Sequence, residues 1–377
     1  MLADRKLAVD TFSTVYRILR PWADVEFWDF GSVEIEPGTV CIIGRNQLMI
    51  HIEKVKSLAN RDDVEIVFDN AAEGSTTLIS QLQQLGISEL ALNRQIALVS
   101  GSALPNSYQH VLYPHLLRSI VDYDENLSAT AKMSKIFDKK IKPYTFLFLN
   151  GRSRSHRKYL IERFRQLQLL NTALWSCLDD RPVLDPQTLT LIEGGIDLVT
   201  QPSQIKLLPA EYEYSKYQKH TTALPGQGFV KDQMFGGEWG EIYLAPAQYI
   251  DTYFSVVTET VFDYPYSFLT EKTAKPLMMG HPFVAVANSG FYRELHRLGF
   301  RTFGHAIDES FDRIDNAQDR IRRIAQVVDD LCRQDLPSFL ESCYNTCKYN
   351  QQHLLELAAN VQHRFPTQLQ LILKQHG

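Results

Sequence analysis

Residues 253–304 switch between strand-like and helix-like patterning, and that alternation leaves few architectures open. Tyr253 to Val257 is a largely apolar run of strand length that gives way to the polar group Thr258, Glu259 and Thr260. A loop rich in Tyr, Asp and Pro leads to Phe268-Leu-Thr-Glu-Lys-Thr273, a helix start at which Ser267 or Thr270 can accept from open backbone N–H groups. The helix runs through Ala274 to Met279 and stops at Gly280, and Pro282 to Ala287 reads as a second buried strand. Asn288-Ser-Gly290 then turns the chain into a helix over 291–298 that Gly299 closes. Strand, loop, helix, strand, helix is the rhythm of an open α/β sheet. Ligands of such sheets sit beyond the carboxyl ends of the strands, where Glu259, Glu271 and Lys272 fall.

The same rhythm covers the rest of the chain. Residues 1–20 read as a helix with Leu7, Phe12, Val15, Ile18 and Leu19 on one side. Strands are expected at 23–30, 39–43, 64–68 and 95–99, with a helix at 76–85. Asp69, Glu73 and Ser100 lie at the polar exits of that first set. Residues 122–142 are charged and poor in large apolar side chains, which suits a linker or an interdomain surface. Tyr144 to Leu149 opens a second set, followed by the turn 150–157 and a helix over 158–170. Residues 180–242 are irregular. Ile314, Ile321, Ile324, Val327, Val328 and Leu331 mark a helical stripe, and two further helices are expected near 336–348 and 350–363. The expected fold is therefore α/β, with two Rossmann-like domains at 1–140 and 141–335 and C-terminal helices at 336–377.

A chain of 377 residues is long for one core, which agrees with two domains. Its net charge of −5, from 39 basic and 44 acidic side chains, gives no sign of dedicated nucleic-acid binding. The five cysteines form no CxxC pair. Cys343 and Cys347, four apart on an expected helix, can reach one metal, but core thiols in a reducing compartment are the simpler reading. The N-terminus lacks the apolar stretch of a secretory signal, and no segment has the roughly 20 apolar residues of a membrane span. A cytoplasmic location is expected, with peripheral membrane contact left open.

Two stretches concentrate chemistry. Asn150-Gly-Arg-Ser-Arg-Ser-His-Arg157 sets Arg152, Arg154 and Arg157 between a strand and a helix, so a diphosphate there would meet guanidinium forks and helix N–H groups. The plainer alternative is a solvated basic turn. Lys272 stands in the first turn of a helix, where the dipole favours anions, so a bound phosphate would offset its placement. Glu271 beside it can accept from a ribose diol, or can simply stabilise the helix start. Glu259, Asp263 and His281 flank this point as possible sugar-side groups. Asp69 and Glu73 are candidates for a general base toward an acceptor hydroxyl, unless they merely cap the following helix. No GxxxxGK[ST], GxSxG or HExxH motif occurs. The expectation is therefore that no metal or other cofactor is required.

The segment Phe268–Thr273, with Lys275-Pro and Gly280-His-Pro-Phe283, resembles the donor site of two-domain GT-B glycosyltransferases, nearest the α-1,3-fucosyltransferase-like group. Leu149 to Arg157 (Leu-Asn-x-Arg-x-Arg-x-His-Arg) and Leu298 to Phe303 (Leu-Gly-Phe-x-Thr-Phe) are similar to stretches of a wider set of bacterial and phage proteins. The resemblance covers mainly 144–160 and 253–304. It implies that Glu271 binds the donor ribose, that Lys272 and one or more of Arg152, Arg154 and Arg157 hold the diphosphate, and that the base comes from the first domain. It further implies that the C-terminal helices return to that domain. The reaction implied is transfer of a sugar, with inversion, from a nucleoside diphosphate sugar to a glycan, lipid-linked or other hydroxyl acceptor. The alternatives are a nucleotide-sugar hydrolase or epimerase on the same fold, or a non-catalytic binding protein.

Overall fold

The computed structural model describes residues 6–10, 13–19, 27–71, 78–94, 96–101, 110–117, 129–180, 192–193, 196–197, 204–212, 244–264 and 267–374. Compactness divides the chain into two units, one of residues 1–118 with 356–377 and the other of residues 119–355. The first unit is thus discontinuous in sequence, whereas composition alone placed a boundary near residue 140 and set 336–377 apart.

The first unit contains β1 (Leu7–Val9), α1 (Thr14–Leu19), β2 (Phe27–Asp29), β3 (Val40–Gly44), α2 (Arg45–Ile50), α3 (Ile52–Leu58) and β4 (Glu65–Asn70). It continues with α4 (Leu78–Gln84), α5 (Glu89–Arg94), β5 (Ile96–Ser100) and β6 (His110–Leu112). All six strands are parallel, in the order β2-β1-β3-β4-β5-β6. A parallel sheet is covered on both faces, so its strands are apolar throughout rather than alternating. Val40 to Gly44 accordingly has no exposed residue. Phe30, Cys41, Ile43, Phe68, Leu82, Leu92 and Leu98 form the core of one face. The expected helix over residues 1–20 is corrected here. Leu7-Ala8-Val9 is a fully buried strand, and Ser13 Oγ accepts from Tyr16 N (2.9 Å) to start the helix only afterwards.

The second unit opens with α6 (Ala129–Asp138), then β7 (Tyr144–Asn150), α7 (Ser155–Gln166), β8 (Leu174–Cys177), and the short pair β9 (Ile192–Glu193) and β10 (Ile196–Asp197). It continues with α8 (Pro246–Ile250), β11 (Thr252–Thr258), α9 (Glu271–Met279), β12 (Phe283–Val286), α10 (Phe291–Arg297), α11 (Ala317–Cys332) and α12 (Leu336–Ser342). The last helix, α13 (Tyr344–Lys374), runs on into residues that belong to the first unit. Its main sheet is parallel in the order β12-β11-β7-β8. Phe146 stacks on Phe254 at 5.5 Å, with Phe148 and Phe164 edge-on beside them. Part of the expected linker is in fact α6, whose Met133 and Ile136 are buried. Two apolar residues at helical spacing suffice because Gly280, at φ +64°, leaves room for Met133 where a Cβ would lie 2.6 Å from its sulfur.

Candidate anion site at the carboxyl edge of the second sheet

In the order β8-β7-β11-β12 the chain leaves β7 in one direction to form β8 and returns to place β11 on its other side. The carboxyl ends of β7 and β11 therefore flank the switch point of the sheet, the position at which open α/β sheets leave a crevice. The two stretches singled out in the sequence leave the sheet at that point.

Asn150 ends β7 as a bridge. Its Nδ2 donates to Ser176 O (3.2 Å) and its Oδ1 accepts from Thr258 Oγ1 (3.2 Å), which ties three strand ends together. Gly151 to Arg154 then turn into α7, with Ser153 N donating to Asp179 Oδ2 (2.9 Å). Arg154 holds the N-cap position of α7 in extended conformation and supplies no side-chain cap. The helix starts at Ser155 rather than at the expected 158, so Arg157 lies in the first turn of α7, where it is buried. Its Nη1 donates to Arg152 O (2.8 Å), and its Nη2 donates to Thr258 O (3.0 Å) and Glu259 O (3.2 Å). Burial lowers its pKa to about 10, with Arg154 adding to the effect and Glu271 and Glu259 opposing it, so it stays charged at neutral pH. Ser153 Oγ and Arg157 Nε are buried and have no hydrogen-bond partner.

His156 is buried next to it. Burial, and the charge of Arg157 behind it, push its pKa well below the ordinary value, so the ring is neutral. A carbonyl can only accept, which assigns the proton to Nε2, facing Glu259 O at 3.0 Å. The ring lies flat on Phe262 (5.2 Å, 15°), and the guanidinium of Arg320 covers Phe262 at 4.6 Å. Arg320 is itself buried and donates to Ala287 O, Ile314 O, Asp315 O and Phe262 O. This stack fixes the loop that follows β11.

Glu259, at the start of that loop, is fully buried. Its carboxylate accepts from Thr270 N (3.1 Å), Thr270 Oγ1 (2.6 Å), Thr273 Oγ1 (2.5 Å) and, at 3.3 Å, Thr260 N. One strand-end acid thus clasps the first turn of α9, whose N-cap is Thr270. Lys272 Nζ folds back to Glu271 Oε1 (2.7 Å), Thr260 Oγ1 (3.2 Å) and Thr270 Oγ1 (3.3 Å). The lysine side chain keeps 29% of its surface exposed and the glutamate 14%, so the pair is accessible where Glu259 is not.

The edge therefore gathers Arg152, Arg154, Arg157, Lys272, Glu271 and Glu259. Three expected roles need correction. Glu259 does not face a sugar, because its oxygens are taken up by the donors of α9 and Thr260. Arg157 presents no fork to a ligand, because both terminal nitrogens serve backbone carbonyls. His281 lies at the other end of β11, where its Nε2 faces Thr252 O (2.8 Å) and its Nδ1 faces Ser255 Oγ (2.9 Å). Six residues of strand, roughly 20 Å at about 3.3 Å each, separate Thr252 from Thr258.

Asp263 is exposed on the loop, 3.9 Å from Arg320. Asp69 belongs to the first unit and is buried, with Oδ2 accepting from Val15 N (3.0 Å) and Oδ1 from Ala71 N (3.0 Å). Glu73 lies outside the described residues. Sequence reasoning missed Arg320, although its position, three after Ala317 and one before Ile321, falls on the apolar stripe of α11. It also missed Asp179 as the anchor of the arginine turn, and nothing in its local sequence marks that partner. Among the described residues no group of three or more His, Cys, Asp or Glu side chains is placed to hold a metal ion. Compared with known proteins, the chain matches no family model, no curated protein and no solved structure.

Proposed function

We propose that the chain is a glycosyltransferase that moves a sugar from a nucleoside diphosphate sugar to a hydroxyl acceptor, without a resident cofactor and with inversion. The observation that carries this reading is the meeting of the arginine turn and the Glu271–Lys272 pair at the switch point of one parallel sheet. Arg152, Arg154, Lys272 and the N-terminus of α7 would neutralise the diphosphate as the bond to the anomeric carbon breaks. Arg157 adds charge from behind. Glu271 would accept from the ribose diol once Lys272 turns from it to a phosphate oxygen. The buried Ser153 Oγ and Arg157 Nε support a site completed by a ligand, since buried polar atoms are rarely left unpaired.

This reading carries the GT-B arrangement with it and takes the base from the first unit. Both oxygens of Asp69 already accept from backbone N–H groups, so Glu73 is the carboxylate the reading names. A panel of nucleoside diphosphate sugars, screened by thermal shift, tests it. One member is expected to raise the Tm of the chain, and Glu271→Ala and Lys272→Ala to lose that rise while keeping the ligand-free Tm. No response to any donor, or an unchanged response in both variants, would reject it. Free sugar released at the same rate without an acceptor would move the chemistry to hydrolysis.

A further inference from the structure

The two halves of the basic edge stand on different elements, and one buried residue lies between them. Arg152 and Arg154 follow β7, whereas Glu271 and Lys272 open α9. Glu259, which is 0% exposed, grips each half with a different part of itself. Its main-chain carbonyl faces the arginine turn and accepts from His156 Nε2 (3.0 Å) and Arg157 Nη2 (3.2 Å). The same guanidinium donates through Nη1 to Arg152 O (2.8 Å). The backbone of Arg152 is thus tied through Arg157 to the end of β11.

The carboxylate of Glu259 reaches the other half through two threonines. Thr270 Oγ1 donates to Glu259 Oε2 (2.6 Å), and a hydroxyl has only one proton to give. Its lone pairs are left to accept, and they accept from Lys272 N and Lys272 Nζ, both at 3.3 Å. Thr260 N donates to the same Oε2 (3.3 Å), and Thr260 Oγ1 accepts from Lys272 Nζ (3.2 Å). Both hydroxyl anchors of the lysine are therefore set by one carboxylate oxygen. Thr270 N (3.1 Å) and Thr273 Oγ1 (2.5 Å) fix the other oxygen. Through space, a carboxylate among these cations opposes an anion, so its charge alone gives no reason for it to stand there. What it holds does.

We propose, resting on the anion-site reading above, that Glu259 is the positioning residue of that site. It holds Arg152 through its carbonyl and Lys272 through its carboxylate, so that both meet one diphosphate. Calorimetric titration of the full chain with inorganic pyrophosphate tests this. Glu259→Gln keeps the carbonyl and the length of the side chain but withdraws the charge and one acceptor oxygen. It is expected to weaken pyrophosphate binding at least about tenfold, whereas loss of repulsion alone would tighten it. Lys272→Ala is expected to weaken binding as well. The double variant is expected to bind no more weakly than Lys272→Ala, because the carboxylate acts through the lysine. Unchanged or tighter binding by Glu259→Gln, or losses that add in the double variant, overturns the proposal. If Glu259→Gln does not fold, Thr273→Val removes one donor to the carboxylate without touching Lys272. It is expected to weaken binding in the same way and Thr273→Ser to restore it, and equal binding by Thr273→Val again overturns the proposal. A wild-type chain that takes up no pyrophosphate overturns the anion-site reading and this assignment with it, whereas wild-type binding with an unchanged variant rejects the assignment alone.

Discussion

The two sheets obey one topological rule and finish their switch points with opposite charges. In the first, the crevice lies between β1 and β3 and is bordered by Asp10, Gly44 and, one strand on, Asp69. Those acids are absorbed locally. Asp69 caps α1 and its own strand exit, and the Asp10 carboxylate fills the space above Gly44, where a Cβ would stand 2.3 Å from Oδ2. In the second, the crevice between β7 and β11 is bordered by arginines and a lysine, and the buried acid Glu259 serves to hold the donor end of α9 in place. The same backbone plan gives one edge whose Asp69 accepts from backbone N–H groups and one edge that gathers cations. Topology locates a crevice, and the residues at the strand ends decide whether it attracts anything.

Glu259→Ala tests that contrast most severely. It removes the acceptor for four donors and one of the two carboxylates that offset the buried charge of Arg157, so a loss of about 3–5 kcal/mol is expected in urea unfolding. A loss under about 1 kcal/mol would mean that the acid is not the clasp of the second edge.

Next in size is acid sensitivity. His156 and His281 are both held neutral by burial, His281 with a pKa lowered to about 3. A histidine that protonates near pH 6.5 when unfolded and much lower when folded favours the unfolded chain as pH drops. Its stabilisation is therefore whole above about pH 6.5 and declines between there and the folded pKa. From pH 6.5 to 5 each imidazole should cost about 2 kcal/mol, and His281→Gln should flatten the slope by one proton. Chemical unfolding at several pH values, followed by probes in each unit, should show residues 119–355 failing first. Simultaneous failure, or first failure of the other unit, would break the distinction.

The smallest effect is expected at the first edge. Gly44→Ala should cost about 1–3 kcal/mol by displacing the Asp10 carboxylate, and Asp10→Ala should relieve much of that cost in the double variant. Purely additive losses would show that the carboxylate and the glycine do not share that space.

What the sequence disclosed follows from how each element is stabilised. Thr39 to Ile43, Tyr144 to Leu149 and Tyr253 to Val257 are largely apolar runs long enough to be recognised as strands by themselves. Thr270 and Gly280 bracket α9 with local chemistry, a side-chain cap at one end and a left-handed glycine at the other. β1 escaped because three residues, Leu7 to Val9, are too few to show a period, and only pairing with β2 and β3 makes them a strand. At the site, residue types at the strand exits identified the basic edge. Which of them point outward was not legible, because Glu259 turns inward only through threonines on the far side of a loop. Lys142 is buried beside an exposed Ile141 for the same reason, since partners 6 to 111 positions away hold the lysine.

The membership of α13 has a consequence for biosynthesis. Phe365 packs edge-on against Tyr113 at 5.6 Å, and Leu369 and Leu373 are buried, so the first unit closes its core with residues made hundreds of codons after its sheet. The strands that emerge earliest from a ribosome must wait for that segment, while residues 119–355 have every part of their own core in hand before it is translated. A nascent chain halted before residue 356 should therefore protect its later half from protease sooner than its earlier one.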